Sequence, residues 1–248
     1  MSTARGPKGN RPGFWPKSIP SEIQHEIKTI NKFTTKTGRE ASITYCQKPG
    51  RDHIFVSNSA EGSYGGAPDP DCDLRYGESV RIGDTHTHPT DRDTLGITPS
   101  QPDIYSTLVD SRMYKQRQIS CVTSPETPLT ECYQPKMMPT PGQLYNYEKA
   151  LDNSVTGVPG FYMDNFHKDF EVGFFNPDNG QRVKKPPAKQ IVKAALGNSI
   201  KDLRTDVSDL ERAGFCEYIA SFTEPSKAVV DECKATLRKR SLLGLIDY

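Results

Sequence analysis

The chain has 248 residues, a formal net charge of +1 and 34% hydrophobic residues, which leaves room for one domain with additions, or two small ones, around a lean core. The charge balance removes any global electrostatic case for nucleic acid or a membrane surface as partner. No run of about 18 apolar residues is present, so nothing in it reads as a bilayer span.

Residues 1–18 carry Arg5, Lys8, Arg11 and Lys17 without an acid or an apolar stretch, and read as a disordered basic tail rather than a secretory signal. Ser21-Glu22-Ile23-Gln24 has capping-box spacing. Ile23, Ile27, Ile30 and Phe33 then recur on one face, which predicts an amphipathic helix ending near Gly38, with His25 at the surface. Ala41–Cys46 and His53–Ser57 read as strands around the turn Lys48-Pro49-Gly50. Residues 58–78, rich in Gly, Asp and Pro, read as a long loop.

A strand from Val80 to His88 would point His86 and His88 to one face, about 6.5–7 Å apart along the backbone. Side chains converging from that spacing can share a metal ion. Pro89 should stop the strand at the pair. Ser100 reads as a helix N-cap, with Pro102 in the first turn and Asp103 at N3. A strand ending in two imidazoles, followed by a helix start that offers a hydroxyl and a carboxylate, could supply three zinc ligands and leave a fourth position for water. Asp84 alternates with His86 and would share its face, as a partner of the imidazole or as a solvent-facing acid. Along the helix, Ile104, Leu108 and Met113 are expected on the buried face. Gln118–Ser124 reads as a strand and Leu129–Tyr133 as its hairpin partner.

The second half changes character. Thr140 opens a helix through Leu151, and Phe170–Phe175 with Gln181–Lys184 flank Asn176-Pro177-Asp178-Asn179-Gly180, a hairpin signal. His167 lies among aromatic residues, where packing is its expected role. Ala188–Leu196, Asp202–Ala213 and Pro225–Lys239 read as helices. Cys46, Cys72, Cys121, Cys132, Cys216 and Cys233 show no CxxC spacing, and read as reduced thiols of a cytoplasmic protein.

Gly83-x-x-His86-x-His88-Pro89 followed by Pro99-Ser100-x-x-Asp103 resembles the signature of the JAMM metalloproteases, also called the MPN-plus or JAB family, over roughly residues 20–135. The resemblance implies an α/β fold, a deaminase-like mixed sheet flanked by helices. It sets a metalloprotease domain at 19–137 between the basic tail (1–18) and a C-terminal extension (138–248) made of an aromatic hairpin and helices. It implies that His86, His88 and Asp103 hold Zn2+, that Ser100 donates to the oxyanion, and that a glutamate upstream is the general base. Glu40 occupies the family's place for that glutamate, although Ala41 and Ser42 stand where a glycine is usual, and Glu61 is the rival. The activity implied is hydrolysis of a peptide or isopeptide bond in a protein or peptide substrate, such as a conjugate or precursor of a ubiquitin-like protein.

Eleven residues separate His88 from Ser100, more than the family has. The excess falls in Thr90–Gly96, which is expected to project over the cleft and whose Asp91 and Asp93 are alternative carboxylate ligands. Two other readings start from the same residues. One is a non-catalytic interaction module, or a toxin-like domain, on the same scaffold. The other is an amidohydrolase-type barrel beginning at Asp84-Thr85-His86-Thr87-His88, which would need further histidines downstream, where only His167 follows.

Overall fold

Ile23, Ile27 and Ile30 are buried along one side of the first helix, α1 (Ser21–Thr37), as their spacing requires. This computed structural model describes residues 17–184 except 49–52, 64–65, 69, 73–78, 90–96, 98, 126, 155–164 and 167, together with residues 231 and 235. Helix α1 ends on Gly38, whose φ of 65° lets its N–H return to the Thr34 carbonyl. Its start differs from expectation: Pro20 is the N-cap, Ser21 is already helical, and the Ser21 hydroxyl donates to Glu22 instead of capping.

Strands β1 (Ala41–Gln47), β2 (Ile54–Glu61) and β3 (Val80–Thr87) lead into α2 (Gln101–Met113). Next come β4 (Ile119–Thr123), β5 (Thr130–Pro135), α3 (Pro141–Ser154), β6 (Phe170–Phe175) and β7 (Arg182–Val183). The strands form one mixed sheet in the order β2-β1-β3-β4-β5-β6-β7. The pair β3–β4 is parallel and α2 supplies its crossover, while the other pairs are antiparallel. The mixed α/β architecture is therefore as expected. β2 runs on to Glu61, inside the stretch read as loop, because it pairs back to Ala41. β6 and β7 continue the same sheet past residue 137, and Phe166 and Phe170 meet Tyr133 edge-on at 5.4 and 5.8 Å.

The two faces of the sheet differ in chemistry. Ile43, Tyr45, Ile82, Ile119, Cys121 and Cys132 meet the isoleucines of α1 in the apolar core. The face towards α2 is crossed by two rows of ladder neighbours, Thr44–Asp84–Ser120–Tyr133 and Ser42–His86–Val122–Glu131. Helix α2 answers with a mixed face of Ile104, Thr107, Leu108 and Ser111. Met113, expected to be buried there, is 59% exposed.

β3 carries a bulge. Tyr45 pairs with Gly83, but the next residue, Cys46, pairs with Arg81, so Ile82 is extra. In a regular strand residues i and i+3 point to opposite faces. The bulge sends Ile82 into the α1 core and brings Arg81 and Asp84 together on the other face.

The cysteines correct the sequence reading. Cys46 is bonded to Cys72 and Cys121 to Cys132, so four of the expected thiols are disulfides. Cys121 and Cys132 lie directly opposite in the β4–β5 ladder, and Cys72 comes back to β1 from far along the chain. Register and chain reversal make these pairs, which linear spacing does not reveal. Disulfides persist mainly in oxidising compartments, so the thiol argument for a cytoplasmic protein no longer stands. Among the described residues no helix is long and apolar enough to cross a membrane. The expectations for residues 1–16, Thr90–Gly96, His167, Cys216, Cys233 and, apart from the helical residues 231 and 235, the helices from 188 to 239 lie outside the described residues.

Candidate metal centre

His86 and His88 point the same way because Thr87, between them, is held the other way. The Thr87 Oγ1 lies 2.6 Å from Thr34 Oγ1 of α1 and accepts the Ala41 N–H of β1 at 2.9 Å. His88 stands just past the end of β3. Its N–H donates to the Thr123 carbonyl, and the Ser124 hydroxyl donates to its own carbonyl, both at 2.8 Å. The strand therefore ends where Pro89 requires, yet His88 keeps a fixed backbone.

Asp103 arrives from α2, fixed by a reciprocal cap. Ser100 N–H donates to Asp103 Oδ2 at 2.7 Å and Asp103 N–H donates to Ser100 Oγ at 3.4 Å. The capped oxygen is also the one that faces the histidines. Asp103 Oδ2 lies 3.3 Å from His86 Nε2 and 3.6 Å from His88 Nε2, and the two Nε2 atoms are 3.2 Å apart.

These three atoms form a nearly regular triangle. A tetrahedral ion bound at about 2.0–2.1 Å has ligand–ligand edges of about 3.3–3.4 Å, so the triangle has the size of one face of its coordination shell. With the ring protons on Nδ1, three lone pairs would converge with no proton between them, and a cation satisfies all three. His86, His88 and Asp103 could hold a metal ion. The donor set of two imidazoles and a carboxylate suits zinc and its neighbours better than calcium or magnesium.

Electrostatics agree with the packing. Burial disfavours charge on His86, but Asp103, with Asp84 behind it, raises its pKa well above the ordinary range. Burial likewise works against an ionised Asp103, and His86 and His88 outweigh it, holding the carboxyl well below its usual value. Without a metal the two form an ion pair.

The structure brings Glu40 to this group and leaves Glu61 exposed at the end of β2. Glu40 is buried, and its backbone is clamped by residues after β2: its N–H donates to the Ser63 carbonyl and its carbonyl accepts from Gly62 N–H. Burial pushes its carboxyl up, the nearby His88 and His86 pull it down, and Asp103 pushes it up again, for a net rise. His25 is exposed, as expected, and so is His53.

Asp84 is buried beside His86, the partner reading of the two open to it, but the sequence did not reveal the polar support behind it. Asp84 Oδ1 accepts from Ser120 Oγ at 2.8 Å and lies 3.3 Å from Arg81 Nη2, while Arg81 also pairs with Asp110 Oδ2 of α2 at 3.0 Å. Thr107 Oγ1 donates to Ser120 Oγ at 2.9 Å. Strict alternation along β3 sets Arg81 on the opposite face from Asp84. Gly83 was the available signal, since a glycine inside a strand often marks a bulge or a close backbone approach. Glu131, two strands from His86 in the same row, was also missed. No family model matches this chain, and no curated protein matches it.

Proposed function

We propose that the chain is a zinc-dependent hydrolase of peptide or isopeptide bonds, with His86, His88 and Asp103 as its zinc ligands. The observation that carries the reading is the triangle of donor atoms at 3.2–3.6 Å, with the buried Glu40 close enough to feel both histidines and Asp103 and Ser100 hydrogen-bonded to Asp103. When bound, zinc supplies Lewis acidity that polarises the scissile carbonyl and lets water lose a proton near neutral pH.

Glu40 then moves the proton. Its carboxylate accepts the proton from the attacking water and returns it to the nitrogen of the leaving amine, and a raised pKa suits both halves of that task. Ser100 Oγ accepts the Asp103 N–H, so its own hydrogen is left to donate to the oxygen of the scissile carbonyl. One such donor is worth about 3–4 kcal/mol in a transition state. The resemblance of the histidine and serine–aspartate segments to the JAMM family points to protein conjugates or precursors of ubiquitin-like type as the substrate class.

The test is zinc content together with hydrolysis of a fluorogenic peptide-amide library and of isopeptide-linked ubiquitin-like conjugates. About one zinc per chain is expected. Glu40→Gln should keep the metal and lower hydrolysis by about 10²–10⁴-fold. A chain that stays metal-free under zinc-replete conditions, or a Glu40→Gln variant as active as wild type, overturns the proposal.

A further inference from the structure

His86 presents its two ring nitrogens to different partners. Nε2 faces His88 and Asp103, while Nδ1 lies 3.8 Å from Asp84 Oδ2, on the side of the sheet's polar row. Asp84 is itself immobilised. Its other oxygen accepts from Ser120 Oγ and meets Arg81, and Arg81 is tied to Asp110 on α2. The Arg81 carbonyl in turn accepts from Gln118 Nε2 at 3.0 Å. The clamp thus draws on β3, β4 and α2 at once, and it exists because the bulge at Ile82 turns Arg81 to the face of Asp84.

We propose that Asp84 is a positioning residue of the metal centre: its clamped carboxylate keeps the His86 proton on Nδ1, so that the Nε2 lone pair points at the metal. The inference rests on the reading that His86, His88 and Asp103 hold zinc. It assigns to Asp84, Arg81 and Ser120 a role that the ligand triangle alone does not require. Outer carboxylates of this kind commonly change metal affinity by about 10–100-fold.

Replacing Asp84 by asparagine gives a decisive contrast, because Arg81 dictates which way the amide faces. Arg81 can only donate, so the amide oxygen must take the Oδ1 position and the NH2 must turn to His86. That amide donates to Nδ1, moves the ring proton to Nε2 and removes the lone pair the metal needs. Asp84→Ala removes the partner without imposing the wrong tautomer. Zinc affinity should therefore fall by about 10–100-fold in Asp84→Asn and by less in Asp84→Ala, although alanine is the larger structural loss.

The measurements are zinc dissociation constants by chelator competition and the ¹⁵N and ¹H signals of the His86 ring in the zinc-loaded chain. Wild type should show a proton on Nδ1 that the asparagine variant lacks. If Asp84→Asn does not fold, Ser120→Ala is the second arm. It removes one hydrogen bond to Asp84, and should shift the Nδ1 proton signal and weaken zinc several-fold. Wild-type affinity and an unchanged Nδ1 signal in whichever of the two variants folds overturn the proposal, as does a greater loss in Asp84→Ala than in Asp84→Asn. Failure of the wild-type chain to bind zinc is a separate result, which overturns the hydrolase reading as well.

Discussion

A Cβ placed on Gly83 would collide with the carbonyl oxygen of Ile119. The two residues are ladder partners in the parallel β3–β4 pair, so the backbones meet at the bulge more closely than any side chain allows. Gly83→Ala must push β4 away from β3, and β4 carries Ser120 of the Asp84 clamp. The variant should lose roughly 3 kcal/mol of stability, the upper end of overpacking, and its zinc affinity should fall with it. Urea denaturation and chelator titration check both. Wild-type stability in Gly83→Ala would show that the two strands can separate freely.

Asp103 caps the helix with the same oxygen that it would offer to a metal. The amide oxygen of an asparagine in its place could still accept the Ser100 N–H, so Asp103→Asn should leave α2 nearly intact by circular dichroism while zinc binding falls steeply. Asp103→Ala loses both functions, with about 0.5–2 kcal/mol of capping stability in addition. An Asp103→Asn variant with full zinc content would return attention to Asp91 and Asp93 as the carboxylate ligand.

Glu131 gives a prediction independent of the metal. Its side chain is buried, Oε1 has no hydrogen-bond partner, and burial pushes its pKa from 4.5 to about 8. Between those values the folded chain keeps a proton that the unfolded chain has lost. The contribution of Glu131 is thus most favourable below about pH 4.5 and declines as pH rises to about 8, by up to about 1.4 kcal/mol per pH unit. Glu131→Gln removes this slope, so its stability relative to wild type should rise between about pH 5 and pH 8. A difference that stays flat over that range would show that the carboxyl ionises without penalty.

Much of this was legible in the chain because local chemistry and global fold agree there. Isoleucine spacing located α1, the His–Thr–His alternation located the end of β3, and Ser100 with Asp103 located the start of α2. Each signal spans a few residues and carries its own physical cause. What could not be read depends on distant partners. Arg81 joins Asp84 only through a bulge set by Tyr45 and Cys46 of another strand. The extent of β2 follows from pairing with Ala41, and a run of Gly and Asp just beyond it conceals the strand's last residues. Glu131 looks like an ordinary surface acid until β6 is laid beside β5. The cysteine pairs needed the β4–β5 register and the return of Cys72 to β1.

The Cys46–Cys72 bond, with a separation of 26 residues, closes a covalent ring that contains the whole of β2. Among the described strands β2 is also the border of the sheet, and sheet borders are where a strand from another molecule can add and where exchange of segments between copies commonly begins. A strand tied at one end to β1 through the chain and at the other through a disulfide can fray, but it cannot swing out to be lent to a neighbour. The bond therefore acts on association as well as on folding. Its reduction would turn a border that can only breathe into one that can be traded.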